Sequence, residues 1–553
     1  MKVRKVRKQN GLIGVIGMLI LALLASGCNS NVANNPSATT TTSNNQSAGT
    51  GNQTNESKTE VGYPEQINYW VSLSTNVAAT MKDFNEIAAY KELEKLTGTH
   101  VKFQHPPVGQ EKDQFNLMIA SGEMPDVIEY NWRNASKGAD SLIKDNRIIR
   151  LNELIEEHAP NLTKILNDNP GFRKLITTDE GNIYVMPFLL GDESLSITRG
   201  PIIREDWLTK LNLSAPTTIA EWETVLTAFR NGDPNNNGEK DEIPYLFQLP
   251  EIDGTHFLIG AWGISSAFYQ VNNTVHYGAI QPEFKEFLET MARWYKEGLI
   301  DPDFSTTDGK LRDAKVTGDQ LGSFTGYPGS SMGRYIDLKI EENPEFSLIG
   351  TSYPSLEPGG TSLGHYDYPF SGIGAAISSS AQNPEKIIKW LDYKYGEEGH
   401  KLFNFGIEGE SYNMVGEYPT YTDIIMNNPD GLPITQAMAK YFIANWSGPI
   451  VQSKYYLEQY YERQQQRDAN KIWSEADHSK LLPPLTLTAE ESSKTSSIMN
   501  DVKTYRDEMV NKFIMGVEPI DNFDNFVKTI EKMGIAEAIV ANQAALDRFN
   551  SRQ

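Results

Sequence analysis

An alternation of strand and helix patterns constrains the fold of this chain more than any other feature of its sequence. Residues 66–71 and 101–103 have strand-like patterns, and a helical pattern at residues 83–96 lies between them. A second helical pattern at residues 112–120 leads to a short apolar strand at residues 126–130. This order predicts βαβ units and a mostly parallel sheet, hence an α/β fold. Ligands of such sheets bind beyond the carboxyl ends of the strands, so the residues after the last strand are candidates for a site.

The length of the chain, 553 residues, predicts more than one lobe. Single hydrophobic cores stop growing at roughly 250–300 residues. A second unit is expected to begin near Arg204, where Thr218 and Glu221 form a predicted capping box. Trp222 in this helix and Trp294 in a later one have the spacing of core residues. Beyond a helix that Asn383 is expected to cap, the chain is predominantly helical, with a final amphipathic stretch at residues 522–549.

The N-terminus has the pattern of a secretory signal. A basic head precedes an apolar run of 14 residues at positions 11–24, and small residues precede Cys28. The run is too short for a relaxed membrane span, which needs about 20 residues. Cys28 is the only cysteine, so it cannot form an internal disulfide, and its setting resembles a bacterial lipobox, although Ala25 stands where leucine is usual. We therefore predict lipidation of Cys28 and anchoring on the extracytoplasmic face of the cell membrane.

The segment after Cys28 predicts a flexible tether, and the charge of the chain excludes one class of partner. Residues 29–60 are almost entirely polar and contain no aromatic residue, a composition that favours disorder. Without the five basic residues of the signal, 45 Lys and Arg face 72 Asp and Glu, a net charge of −27. A nucleic-acid partner would require a basic face, so we expect none.

The predicted domain organisation follows from these patterns. Residues 1–27 form a lipoprotein signal peptide, and residues 28–63 form the lipidated cysteine and a disordered linker. Residues 64–187 form the first part of lobe 1, and residues 188–370 form lobe 2. Residues 371–553 are expected to form the hinge return and a helix-rich C-terminal region that packs mostly on lobe 1.

A loop at residues 233–242 has the spacing of an EF-hand-like calcium site. Oxygen-bearing side chains occupy relative positions 1, 3, 5 and 9, and Gly238 occupies position 6, where a sharp turn is needed. Position 12 is Pro244 and not glutamate, and Glu242 at position 10 could replace it. The alternative is an Asn-rich surface turn. The predicted structural Ca²⁺ has six ligands, five through side chains and one through the Glu239 carbonyl: Asp233, Asn235, Asn237, Glu239, Asp241 and Glu242.

Several segments together resemble one protein family. They are Arg204-Glu205-Asp206-Trp207-Leu208, Gly122-Glu123-Met124-Pro125-Asp126-Val127, Gly260-Ala261-Trp262-Gly263, Tyr295-Lys296-Glu297-Gly298-Leu299-Ile300-Asp301-Pro302 and the calcium loop. They resemble family 1 extracellular solute-binding proteins of ABC importers, in particular LipO-like lipoproteins, which are similar to alginate-oligosaccharide-binding proteins. The resemblance implies a two-lobed, type II periplasmic-binding-protein-like fold with hinge strands. It also implies a monomer that delivers an oligosaccharide, plant- or alginate-derived among the candidates, to the transmembrane subunits of an ABC permease.

Candidate ligand contacts are aromatic and polar residues at predicted loops and hinges. Sugars present flat apolar faces ringed by hydroxyl groups, so aromatic platforms with amide and charged neighbours suit them. Trp262 lies between glycines, Trp132 follows a strand, and Trp446 lies in a polar loop. The remaining candidates are Asn131, Tyr366, Tyr368, Tyr412 and Arg199. Hinge or interlobe packing is the alternative role of all of them.

The rival functional class is a lipid-anchored enzyme that acts on polysaccharides. Residues 329–333 match the G-x-S-x-G nucleophile pattern, but Tyr327-Pro328 before them makes a poor strand. No His-Glu-x-x-His zinc motif is present. A pair of catalytic carboxylates that are distant in the sequence stays an open alternative. A further alternative is a binding protein for peptides or for a sensor. We expect a binding protein and not an enzyme.

Overall fold

The computed structural model describes residues 61–135, 138–248, 258–443 and 447–552. The predicted signal, Cys28, most of the predicted linker and Trp446 lie outside these ranges. The described residues belong to one unit that begins at Glu60. None of the described helices has both the length and the apolar character that a membrane span requires.

The described strands are short; eight form two principal sheets and six form three two-stranded sheets. In chain order they are β1 Gln66–Trp70, β2 His100–Gln104, β3 Val127–Asn131, β4 Met186–Pro187, β5 Leu189–Leu190, β6 Gly200–Arg204, β7 Phe268–Val271, β8 Thr274–Tyr277, β9 Ser323–Gly326, β10 Leu348–Gly350, β11 Ile373–Ile377, β12 Tyr412–Val415, β13 Tyr418–Tyr421 and β14 Val451–Gln452.

Helices cover both sheets. They are α1 Thr75–Ala78, α2 Ala88–Thr97, α3 Glu111–Ser121, α4 Ala139–Lys144, α5 Asn152–His158, α6 Pro160–Asp168, α7 Pro170–Ile176, α8 Glu205–Lys210, α9 Ile219–Gly232, α10 Pro282–Lys296, α11 Gly309–Thr317, α12 Arg334–Lys339, α13 Pro384–Asp392, α14 Glu397–Phe405, α15 Asp423–Met426, α16 Ile434–Ala439, α17 Lys454–Tyr460, α18 Gln464–Trp473, α19 Ala489–Ile514, α20 Phe523–Lys532 and α21 Ile535–Ser551.

The first sheet confirms the predicted βαβ order. Its strands lie in the order β2-β1-β3-β11-β4, with β1 parallel to both β2 and β3. β11 returns antiparallel to β3 and β4, so the sheet is mixed and the prediction of a mostly parallel sheet is wrong. The second sheet, β10-β6-β9, is antiparallel. Each sheet lies in its own hydrophobic core, and these two cores define lobe 1 and lobe 2.

Several helix predictions are confirmed. Gly98 ends α2 in the left-handed conformation, and Thr218 and Glu221 form both hydrogen bonds of the capping box at α9. Trp222 and Trp294 are fully buried in the core of lobe 2, as predicted. The capping role of Asn383 is wrong, because its side chain makes no capping hydrogen bond and its backbone is left-handed.

The C-terminal region differs from the predicted packing. Its first part joins the core of lobe 1, whereas Trp473, Val510 and Phe526 of the later helices lie in the core of lobe 2. The predicted stretch at residues 522–549 is two helices, because Gly534 with φ of 97° separates α20 from α21. These helices complete lobe 2 because α19 packs on α10 and α21 packs on β8.

The chain crosses between the cores through neighbouring segments. β5 pairs in parallel with β14. The Leu190 N–H donates to the Pro369 carbonyl at 2.9 Å, and the Asn470 amide donates to the Ser194 and Ile197 carbonyls at 3.0 and 2.6 Å. These bonds tie the crossing segments together into a hinge.

The end of α21 is joined to lobe 1 through an ion pair. The Asp179 carboxylate lies 2.6 Å from the guanidinium groups of both Arg548 and Arg552. The side chains of Asp179 and Arg552 are only 13% and 3% exposed, so this contact is screened little by water.

We expect Asp179→Asn to lower the free energy of unfolding by about 1.5–3 kcal/mol, because it weakens buried charge-assisted hydrogen bonds. Equilibrium urea unfolding measures this. Glu180→Gln is the matched control, since Glu180 forms a solvent-exposed ion pair with Lys144 in which the two side chains are 47% and 64% exposed. The control should change stability by less than about 1 kcal/mol. Equal effects of the two variants would contradict the structural role of Asp179.

Candidate functional site

A cavity of about 840 Å³ lies between the two cores. On the lobe 2 side it is bounded by α12 and by a π-helical turn at Pro328–Gly333, and on the lobe 1 side by α15, α16 and α17. Thr198 in the first crossing segment and Gln466 at the start of α18 also line it. Its volume falls in the usual range of small-molecule sites, about 300–1,000 Å³.

Tyrosine rings dominate the aromatic lining of this cavity. The Tyr456 and Tyr460 rings stack with centroids 5.7 Å apart, and Tyr461 lies 5.7 Å beyond Tyr460. Tyr327 faces them from lobe 2 and is 45% exposed. Gly329 permits the close approach of the two sides, because a Cβ there would lie 2.3 Å from the Tyr460 ring. Such rings offer flat apolar faces with a polar hydroxyl at the edge.

The turn at Pro328–Gly333 is fixed by a hydrogen bond from the start of α18. The Gln466 amide donates to the Pro328 carbonyl at 2.9 Å. The Ser331 hydroxyl is buried and accepts a hydrogen bond from the Tyr327 N–H at 3.2 Å. In the described part of the chain no hydrogen bond joins Ser331 to a histidine. The nucleophile pattern at residues 329–333 therefore forms part of the cavity wall.

Both arginines of the described cavity lining are paired with carboxylates. The Arg334 guanidinium donates to Asp313 at 2.5 Å, and the Arg463 guanidinium donates to Asp337 at 2.5 Å. Burial raises the pKa of the Glu462 carboxyl; the charge of Asp337 adds to this effect and Arg463 opposes it. The lining thus combines aromatic faces with hydrogen-bonding groups.

A polar cluster in the hinge adjoins the cavity at Thr198. The Thr198 hydroxyl donates to the Asp367 carboxylate at 2.7 Å, and the His365 ring lies 3.0 Å from the same oxygen. Burial raises the pKa of the Asp367 carboxyl, but the hydrogen bonds and charge of His365, with help from Thr198, hold it below its usual value. This cluster links two of the crossing segments.

Three predicted contacts lie beside this cluster. The Tyr366 ring is edge-on to Tyr368 at 5.3 Å and lies 5.0 Å from His478. The Arg199 carbonyl accepts a hydrogen bond from the Tyr353 hydroxyl at 2.7 Å. The expected hinge location of Tyr366, Tyr368 and Arg199 agrees with these positions, and their contact with a ligand stays a prediction.

The other predicted contacts lie in or against hydrophobic cores. Trp132 is 3% exposed, and its indole N–H donates to the Gly374 carbonyl at 3.0 Å. The Asn131 amide oxygen accepts from the Arg133 N–H. Trp262 is buried edge-on to Phe287, and Tyr412 is buried in the β12–β13 hairpin. None of the predicted contacts within the described residues lines the cavity, and their ligand role stays a prediction.

The sequence analysis did not predict the aromatic residues that line the cavity, which are Tyr327, Tyr456, Tyr460 and Tyr461. A weak signal for the last three exists, because the sequence concentrates tyrosines between residues 455 and 461. No local sequence pattern shows that this helix faces residues 327–338, which lie more than a hundred residues away in the sequence.

The predicted calcium loop folds as a tight turn directly after α9. Asp233, Asn236 and Gly238 have positive φ, which curls the backbone. The Asp233 carboxylate accepts hydrogen bonds from the N–H groups of Asn237 and Gly238 at 3.1 and 3.2 Å. The Asp241 carboxylate accepts from the Asn235, Asn237 and Gln320 amides at 2.9 to 3.2 Å.

The donors of this loop fit a hard cation. The Glu242 Oε1 atom is buried and has no hydrogen-bond partner among the described residues. Burial raises the pKa of the Glu242 carboxyl, and the charges of Asp241 and Asp233 add to this. The described residues contain no ready-made cluster of three or more His, Cys, Asp or Glu side chains around a metal position. Amide and carbonyl oxygens of the loop would complete the coordination that calcium prefers.

The family follows from a comparison with known proteins. Residues 75–401 match the family described as bacterial extracellular solute-binding protein. The chain belongs to this family. As in other solute-binding proteins of its kind, two lobes enclose the cavity, which confirms the predicted two-lobed fold.

Individual relatives align with this chain over most of their length, which supports the family assignment. The chain is 27% identical to the fructooligosaccharide ABC transporter substrate-binding protein FusA of Streptococcus pneumoniae, over 85% of this chain and 89% of FusA. It is 25% identical to lipoprotein LipO of Bacillus subtilis, over 80% of this chain and 86% of LipO. The crystal structure of the alginate-binding protein AlgQ2 without calcium ion aligns with a TM-score of 0.70 and 25% identity, over 88% of this chain and 99% of AlgQ2.

Proposed function

We propose that this solute-binding protein captures an oligosaccharide in the cavity between its lobes and delivers it to the transmembrane subunits of an ABC importer. The observation that carries the proposal is the tyrosine-lined cavity at the hinge. FusA is named for fructooligosaccharide and AlgQ2 for alginate, and both names support a carbohydrate ligand.

The anchor is proposed on the sequence pattern alone. A lipid on Cys28 would hold the protein on the extracytoplasmic face of the membrane, and the polar residues 29–60 would let the lobes reach the permease. LipO, a lipoprotein by name, supports this part of the proposal. The protein is expected to act as a monomer without enzymatic activity.

The test is thermal unfolding of the full chain in detergent with a panel of plant and bacterial oligosaccharides. A ligand at about 100 times its dissociation constant adds about 2.7 kcal/mol to the stability of the folded state. The stabilising sugar should be recovered intact. A sugar recovered as cleaved products would favour the enzyme alternative, and stabilisation by peptides alone would contradict an oligosaccharide ligand.

The calcium loop is proposed to hold a structural Ca²⁺ through Asp233, Asn235, Asn237, Asp241, Glu242 and the Glu239 carbonyl. Gln320 donates to Asp241, so a loop ordered by calcium would also hold the turn before β9 in place. The buried Glu242 oxygen is the main support, because a cation offsets the cost of a buried carboxylate.

Removal of calcium by a chelator is expected to lower the melting temperature by a few degrees, since bound calcium stabilises only the folded state. Differential scanning calorimetry measures this shift. In Glu242→Gln the chelator should have little further effect. Glu239→Gln is the matched control, because Glu239 is proposed to contribute only its carbonyl, and its chelator response should equal that of the unmodified protein. A Glu242→Gln variant with the full response would contradict the site.

A further inference from the structure

The charges around the cavity carry an inference about the class of sugar. Oligosaccharides are either neutral or carry carboxylates, and the two kinds require different sites. A carboxylate that leaves water needs a cation free to pair with it, since an unpaired buried charge is costly. The charge pairs of the cavity therefore bear on which kind of ligand the cavity can accept.

Each cation in the described lining of the cavity is paired with a carboxylate. These cations are Arg334 and Arg463, and each lies 2.5 Å from a carboxylate, Asp313 and Asp337 respectively. The Arg334 guanidinium donates in addition to the Ser330 carbonyl at 3.1 Å. Arg463 contacts Asp337 through two nitrogens, at 2.5 and 3.2 Å. A ligand carboxylate would have to displace one of these bonds.

The described lining residues have no excess of positive charge. Arg334 and Arg463 are balanced by Asp337 and Glu462, and Asp313 pairs with Arg334 from outside the lining. Arg133 lies outside the lining, beside the phenols of Tyr184 and Tyr368. The whole chain has a net charge of −22, which disfavours the approach of anions at low salt.

The neutral features of the lining suit uncharged sugar rings. The stacked Tyr456 and Tyr460 and the exposed Tyr327 offer apolar faces. The carboxylates of Asp337 and Glu462 and the amide of Asn76 can accept hydrogen bonds from ligand hydroxyl groups.

We infer that the cavity selects neutral oligosaccharides and rejects uronate-containing ones. The inference rests on the proposed function, because it assumes that an oligosaccharide enters this cavity. It assigns Asp313 and Asp337 as specificity-determining residues that act by pairing the two arginines.

The test compares oligosaccharides that differ only in the oxidation of C6. Isothermal titration of the full chain in detergent would use pairs of equal linkage and length, such as galactotriose with trigalacturonate and mannotriose with trimannuronate. The neutral member of the bound pair should bind about 100-fold more tightly than its acidic partner, with little dependence on salt. An acidic member that binds as tightly as its neutral partner would overturn the inference and leave the proposed function intact. If the protein binds no carbohydrate in any measurement, both the inference and the proposed function are overturned.

A charge variant tests the same assignment independently. Asp313→Asn releases Arg334, so the affinity for the acidic partner should rise about tenfold relative to the neutral one. Asp308→Asn removes a charge from the start of the same helix, α11, where Asp308 only caps the Leu311 N–H, and it should leave that ratio unchanged. Equal ratios in both variants would overturn the role of Asp313.

Discussion

Replacement of Tyr460 by alanine is expected to weaken oligosaccharide binding roughly 10- to 100-fold, because it removes a large apolar face from the cavity. The Tyr460 ring stacks on Tyr456 and contacts Gly329 of the opposite lobe, so it lies at a close approach of the two lobes. Isothermal titration with the sugar that stabilises the protein measures the loss.

Two variants make this result specific. Tyr460→Phe keeps the ring and should retain most of the affinity. Tyr418→Ala removes a tyrosine of the β12–β13 hairpin that contacts Glu458 and Tyr455 outside the cavity, so it should leave the affinity unchanged. Unchanged affinity in Tyr460→Ala, with folding intact by circular dichroism, would contradict the assignment of the cavity.

Replacement of Glu129 by alanine is expected to lower the free energy of unfolding by about 3 kcal/mol, because it leaves the buried Tyr69 hydroxyl without its acceptor and removes the charge that favours the ionised form of Lys394. Lys394 is fully buried within a cage of aromatic rings, 4.8 to 5.8 Å from the centroids of Tyr69, Tyr90, Trp390 and Phe403. Glu129 accepts a hydrogen bond from the Tyr69 hydroxyl at 2.8 Å. Urea unfolding of Glu129→Ala measures the loss, and the double variant Glu129→Gln/Lys394→Met should recover much of it. No recovery in the double variant would contradict the electrostatic coupling of Glu129 with Lys394.

The same lysine gives stability a pH dependence with a defined sign. Burial lowers the pKa of Lys394 from 10.5 to about 7, and Glu129 opposes this shift. Between these two pH values the unfolded chain binds more protons at this site than the folded protein does, so the contribution of Lys394 to stability rises with pH across that window. Lys394→Met should remove this part of the pH slope in urea unfolding. An identical slope in both proteins would show that the lysine titrates normally.

Local patterns were sufficient to predict the parallel strands of the first sheet and several helices. The alternation at residues 66–130 corresponds to β1, β2 and β3 with α2 and α3 between them, because hydrophobic period and capping act over a few residues. The capping box at Thr218 and the buried Trp222 and Trp294 follow from the same local rules. The packing of α19, α20 and α21 on lobe 2 does not, because an amphipathic helix specifies that one face is buried but not which partner covers it.

The site was less predictable for the same reason. Flanking glycines and a strand end favoured Trp262 and Trp132, yet both side chains pack in cores. Tyr327 and Tyr460 come together only through the hinge, where Gln466 ties the turn at Pro328–Gly333 to α18. The calcium loop differs in that all of its proposed ligands lie within ten consecutive residues, where spacing is visible in the sequence, and their role as ligands stays a prediction.

A crystal structure of the complex with the oligosaccharide that most stabilises the protein tests the central claim most directly. We expect electron density for intact sugar between α12 and α17, with sugar rings against Tyr460 and Tyr327 and with the Arg334–Asp313 and Arg463–Asp337 pairs unbroken. Sugar bound outside this cavity, on one lobe alone, would contradict the claim that the protein captures its ligand between the lobes.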